Sequence, residues 1–293
     1  MKKKNVFFQT LICRFQDDDV SALAAQLTYY LILSFFPFLI FVAALLSFTR
    51  FSAIDALERL SLFLPEMSNQ TISEVLYEIE QTRSGSLLSF GLIAALWSAS
   101  NGVNAIIKGL NKAYDEEENR PFWLVRSMSL LTTVVLAVAI LLSFSMLVFG
   151  RMIGEWIYHT AHLPGDFSQL WGWVQYAIPL VVLWTMFVLL YSYLPNVRLG
   201  YKAVIPGAIF ATGGWIVVSM LFSFYVNHFD SYSRTYGSIG GIIVLLTWLY
   251  LSSMIILLGG QINATLHFMK TGREKPPCKA FSLSLFGWSR KST

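Results

Sequence analysis

The chain has 293 residues, 55% of them apolar and only 13% charged, with a mean hydropathy of +0.58 and a net charge of +4. Soluble domains carry about 25% charged residues, so most side chains here face lipid or one another. Disorder, a disulfide scaffold and a compact soluble enzyme are excluded, and an integral membrane protein remains.

The amino terminus is basic, with Lys2, Lys3 and Lys4 leading into a broken apolar stretch that ends at Asp17, Asp18 and Asp19. That pattern lacks the continuous apolar core and small-residue cleavage site of a signal peptide, so residues 1–20 are expected to stay as a cytoplasmic or interfacial segment. Phe8, Ile12 and Phe15 recur at helical spacing beside Lys and Arg. An amphipathic helix in the membrane interface and an extension of the first span packed on protein both fit. Cys13 and Cys278 carry no metal-ligand or redox spacing.

Crossing about 30 Å of hydrocarbon takes roughly 20 apolar residues as a helix. Six stretches qualify, at 22–49, 87–107, 127–150, 173–194, 203–227 and 237–266. They run without the alternation of a barrel wall, and lipid leaves no partner for unpaired backbone, so the expected fold is all-α, a six-helix transmembrane domain over 21–268. A basic cytoplasmic tail, 269–293, follows. Between the first two spans, Thr71-x-x-Glu74 forms a capping-box pattern followed by Ile72, Val75, Leu76 and Ile79 on one face. This predicts an external amphipathic helical cap over 52–84.

Sixteen of the twenty-one Lys and Arg fall in the termini and the even-numbered connections, and five on the other side. The positive-inside rule then places both termini in the cytoplasm.

Polar side chains in hydrocarbon are costly, so their placement marks function or helix contact. In the first span Gln26, Tyr30 and Ser34 form one stripe, with Pro37 nearby. The second span carries Ser98, Ser100, Asn101 and Asn104, and the sixth Tyr250 and Asn263. Together these are candidates for lining a polar cleft, with interhelical hydrogen bonding as the alternative. The Ser98–Asn104 cluster fits either a broken helix lining a cavity or a span that ends early and continues as a cytoplasmic helix through Asn111 and Tyr114. Gly91, Ala95 and Ala99, then Gly207 with Ala211, and Gly237 with Gly241, have the spacing of close helix packing.

Several chemistries are missing from the pattern. No Asp, Glu, Lys or Arg lies deep within a predicted span, there is no phosphate-binding Gly-rich Lys-Ser/Thr loop, and no His or Cys cluster suggests a metal. The run Asp115 to Glu118 reads as a solvated loop rather than a cation site. Neither a catalytic residue, a metal nor a cofactor is therefore expected. The expected partners are the lipid bilayer and a lipid or amphipathic small-molecule substrate, without nucleic acid. Oligomeric state is not legible.

Four segments, AAQLTYYLILSFFPFLI, LWSASNGVNAIIKGLNKAY, LPNVRLGYKAVIPGAIFATGGW and YVNHFDSYSRTYGSIGGIIVLLTWLYLSSMIILLGGQINA, together resemble the YihY/BrkB-type bacterial inner-membrane proteins once labelled ribonuclease BN. The resemblance covers nearly the whole chain and includes Tyr29, Tyr30, Pro37, Trp97, Asn111, Pro195, Asn196, Pro206, Gly207 and Asn263. It implies a six-helix protein of the bacterial cytoplasmic membrane, without a settled activity, for which the ribonuclease label is a misassignment. It also implies an acidic residue in many members where Gln261 stands here, a departure that weighs against proton coupling. Three functions compete: a transporter or flippase for an amphipathic or lipid-like molecule, a non-transporting scaffold or envelope-integrity factor, and a nuclease. Positive-inside bias explains the basic face without RNA, which leaves the nuclease the weakest.

Overall fold

The computed structural model describes residues 2–48, 85–160, 167–228 and 231–272. The expected external cap at 52–84 and most of the basic tail lie outside these residues. Seven helices are described: α1 (Lys2–Asp17), α2 (Val20–Phe48), α3 (Gly85–Ala113), α4 (Phe122–Thr160), α5 (Phe167–Tyr193), α6 (Tyr201–His228) and α7 (Ser231–Thr271). The last six each contain a stretch long and apolar enough to cross a membrane, as the hydropathy pattern predicts.

Where the helices start and stop differs from the apolar stretches in an instructive way. The second span does not break at its polar cluster. α3 runs unbroken through Ser98, Asn101 and Asn104 to Ala113, because its backbone bonds are made within the helix whatever the side chains are. It ends in a Schellman motif in which Glu116 N–H donates to the Asn111 carbonyl (3.0 Å) and Asp115 N–H to that of Lys112 (3.2 Å). Asp115 takes the left-handed conformation there (φ 55°) that such an ending requires. Asp19, at φ 51°, turns the chain between α1 and α2 in the same way, so α1 is a separate helix and not the first turns of a span.

Each membrane helix packs antiparallel to the next, and α7 returns to α2, closing a ring of six. Small residues set the closest approaches. A Cβ on Gly91 would come within 2.9 Å of the Phe41 backbone, and one on Gly102 within 3.4 Å of Leu27. These two points fix the α2–α3 register. α6 and α7 meet at Gly207 and Gly259, where a Cβ on Gly207 would collide with the Gly259 carbonyl oxygen.

The buried core, including Leu27, Val103, Ile107, Leu110, Phe187, Tyr191, Val204 and Ala211, fills the half of the ring nearest α1. Elsewhere apolar side chains are turned outward, as on α4, where Leu131, Val135, Val138, Ile140, Leu141 and Leu142 are exposed. In water this surface would be a liability. In a bilayer it is the solvated face, and helix contact comes from packing and hydrogen bonds.

Candidate functional site

The expected cleft residues divide into two groups. With α2 and α3 in register through Gly91 and Gly102, Ser34 lies level with Ser98, and Tyr30 with Asn101. At 100° per residue, Gln26, Tyr30 and Pro37 lie on one flank of the α2 face that meets α3, and Asn101 on the corresponding flank of α3. The opposite flanks are occupied by α7: Thr28 Oγ1 lies 3.4 Å from Ser253 Oγ, and Leu110 packs against Gly260. The Gln26–Tyr30–Asn101 flank is therefore the one turned away from α7, and it forms a seam between α2 and α3 that α4 reaches at Asn101. Its residues are half-buried, and Tyr29 beside Tyr30 is exposed.

Asn101 does not look toward α2 alone. Arg126 Nη1 of α4 donates to Asn101 Oδ1 at 2.7 Å, and its guanidinium carbon lies 3.8 Å from the centroid of the Trp97 ring. Trp97, Asn101, Asn104 and Lys108 recur on one outward face of α3, with Trp97 and Lys108 exposed. Ser34 and Ser100 each donate to a carbonyl three residues earlier on their own helices, and Ser100 is fully buried away from the seam. Tyr250 packs beside Val20, Ala24 and Leu257.

Asn263 lies elsewhere and does a different job. Pro206 has no N–H and loosens the first turns of α6. Asn263 reaches across from α7, accepting from Gly207 N–H (2.7 Å) and donating to the Val204 carbonyl (3.1 Å). These two bonds tie the turn of α6 around Pro206 to α7. Among the packing glycines and alanines, Gly91, Ala95, Gly207 and Ala211 are buried and Ala99 is half-buried. Gly241 is exposed with open space beside it, and the surroundings of Gly237 lie outside what is described.

At the α1 end of the bundle lies a polar knot that the sequence did not announce. Arg14, 1% exposed, donates to the Ala113 carbonyl (2.7 Å), pairs with Asp115 (3.4 Å) and stacks on Phe268. Burial lowers its pKa, against which Asp115 and Asp18 hold the charge. Asp18 accepts from Gln261 Nε2 at 2.7 Å. Asn111 accepts from Asn196 N–H (2.7 Å) and donates to Glu118 (2.9 Å), while Arg120 grips Glu118 and donates to the Leu194 carbonyl (3.0 Å). Lys112 pairs with Asp19. The acidic run Asp115 to Glu118 is largely exposed, as a solvated loop would be, and within it Asp115 and Glu118 also clasp Arg14, Asn111 and Arg120. The sequence signal was there in Arg14 and Asp18, one helical turn apart, and in Gln261 standing in an apolar run.

Among the described residues no group of three or more His, Cys, Asp or Glu is placed to hold a metal ion.

Comparison with known proteins agrees with this architecture. The chain is 44% identical over 271 residues to the "Putative ribonuclease-like protein YfkH" of Bacillus subtilis, covering 92% of this chain and 98% of that one. It is 27% identical to a UPF0761 membrane protein of Pseudoalteromonas translucida, covering 90% and 87% of the two chains. With a UPF0761 membrane protein of Vibrio parahaemolyticus it shares 30% identity, over 89% and 82%. No solved structure matches. The family profile described as virulence factor BrkB matches residues 11–282, and with six apolar helices behind that match, the chain belongs to the BrkB family of integral membrane proteins.

Proposed function

We propose that the protein is a transporter or flippase that moves an amphipathic, lipid-like molecule along the seam between α2 and α3. The observation that carries this reading is the level-by-level match of Gln26, Tyr30 and Ser34 with Ser98 and Asn101 on a flank turned away from α7. Ser34 and Asn101 are bonded within the protein, whereas lipid offers no hydrogen bonds to Gln26 and Tyr30 on that flank. A molecule with a polar head and an apolar body satisfies both sides of the groove. A seam turned away from α7 suits a substrate that arrives from the bilayer better than one that arrives from water. The packed half of the ring near α1 supports the same reading, since a leak-tight end is what a transporter needs. The cation bias of the sequence supports a cytoplasmic position for that end.

A scaffold without transport is the second reading, and one observation favours it: Asn263, Ser34, Ser100 and Thr28 are all engaged in bonds within or between helices. Proteoliposomes holding a fluorescent phospholipid in one leaflet separate the two. The transport reading expects purified protein to accelerate loss of leaflet asymmetry, and Tyr30→Ala to slow it with little change in detergent melting temperature. No acceleration by the wild type, or a variant that only melts earlier, would leave the scaffold.

A further inference from the structure

Three arginines among the described residues are buried or half-buried: Arg14, Arg120 and Arg126. The first two have carboxylates at hand, Asp115 at 3.4 Å and Glu118 at 2.6 Å. Arg126 has none within ion-pair distance among the described residues. Its partners are a neutral amide oxygen of Asn101, the Trp97 carbonyl at 3.4 Å and the Trp97 ring, and its Nε is buried without an acceptor. A half-buried guanidinium with no carboxylate beside it leaves part of its charge uncompensated, which invites an anionic partner.

The position of Arg126 says what the counter-ion is attached to. α4 starts at Phe122, so Arg126 sits about 6 Å along its axis, at the depth where headgroups meet acyl chains. Phe122, Trp123 and Trp97 are exposed around it, at 69%, 78% and 57%, an aromatic rim of the kind that sits at the interface. Lys108 is exposed on the same α3 face as Trp97 and Asn101. The helix N-terminus of α4 adds positive potential at the same level. Asn101 and the indole fix the guanidinium plane, which leaves N–H groups of a rigid fork for a tetrahedral oxyanion.

We propose that Arg126, oriented by Asn101 and Trp97 and assisted by Lys108, binds the phosphate of an anionic phospholipid lying against the α3–α4 groove. The aromatic rim selects a lipid over a dissolved phosphate, because apolar surface beside the cation is covered only when the anion carries acyl chains. The proposal rests on the lipid-facing reading of the seam given above, but it does not require that lipid be moved.

The test is binding to the full-length protein in detergent, read by native mass spectrometry and by thermal shift. Phosphatidylglycerol is compared with diacylglycerol, which has the same chains and no phosphate, and with inorganic phosphate. The expected result is retention of phosphatidylglycerol, a clear rise in melting temperature with it alone, and affinity lower by on the order of tenfold in Arg126→Gln. Arg126→Lys should fall between, since it keeps the charge and loses the fork. Lys108→Gln changes an exposed side chain and should weaken binding by a few-fold while folding normally, which covers the case of an unfolded Arg126 variant. Binding of phosphatidylglycerol and diacylglycerol alike, or unchanged binding in Arg126→Gln or in Lys108→Gln, would overturn the site as drawn. Inorganic phosphate competing at equal concentration would overturn the lipid as its occupant. Arg126-dependent lipid binding without leaflet exchange would leave this site standing and remove the transport reading alone.

Discussion

The Arg14 guanidinium donates to the backbone carbonyl of Ala113 across ninety-nine positions of sequence. It closes the last turn of α3, where carbonyls lack helical partners, and a cation there also suits the helix dipole. Replacing Arg14 with Met leaves the Ala113 carbonyl and Asp18 without it. The expected loss is about 3–5 kcal/mol, as for removing one partner of a buried charge pair. Asp115→Asn should cost much less, because that carboxylate is 38% exposed and solvent screens it. Melting temperatures of the two variants in one detergent check the order, and equal losses would mean that the ion pair, not the carbonyl bond, holds α1.

The crossing of α6 and α7 gives a prediction with an internal control. Gly207→Ala and Gly259→Ala each push a methyl into a backbone or tyrosine oxygen and should cost about 1–3 kcal/mol or more. Gly241→Ala, with open space around it, should stay within about 0.5 kcal/mol. Asn263→Leu removes its bonds to Gly207 N–H and the Val204 carbonyl and should cost about 1–3 kcal/mol. Thermal melts of the four variants suffice.

The Glu118 clasp predicts a pH dependence. Its hydrogen bond to Arg120 holds the carboxyl below the usual range, helped by Asn111 and opposed by partial burial. A carboxylate with a depressed folded pKa stabilises above its unfolded pKa, and the contribution is lost as pH falls through the folded value. Asp19 is depressed in the same direction by Lys112. Glu118→Gln should therefore melt earlier than wild type at neutral pH, and the gap should close on acidification below about pH 4. A gap that persists at low pH would place the effect in the amide's shape and not in charge.

The clasp also bears on topology. Arg14, Asp115, Glu118 and Asn196 meet at one end of the bundle, so the α3–α4 and α5–α6 connections and α1 share a side. On the cation bias that side is expected to be cytoplasmic. Reporter fusions after residues 117 and 197 should both report the cytoplasm, and one after residue 160 the opposite face. A split result between the first two would contradict the fold itself.

The spans were legible because hydropathy over twenty residues is a strong signal and lipid forces helices. The ends were not. α3 continues six residues past its apolar limit, as one of the two readings of its polar cluster allowed, and Asn111 and Lys112 find partners there on neighbouring chain segments, which hydropathy does not register. The seam residues were visible as a stripe, yet which flank they occupy depends on where α7 lies. Asn263 looked like a substrate contact, but its partner is a proline-loosened turn fifty-six residues earlier. Arg126 sat one residue before the predicted start of its span, where a cation passes for an ordinary flanking charge.

The knot around Arg14 also sets an order of events during synthesis. Arg14 and Asp18 leave the ribosome among the first residues, yet the Ala113 carbonyl follows about a hundred residues later, and Gln261 and Phe268 come near the end. Until α3 is made the guanidinium lacks Ala113 and Asp115, and until α7 is made it lacks the Phe268 ring and Asp18 lacks the Gln261 amide. The knot is therefore complete only when the last helix is in place, and a product truncated before α7, lacking Gln261 and Phe268, should hold its amino-terminal helix less firmly and leave it more open to protease than the finished protein.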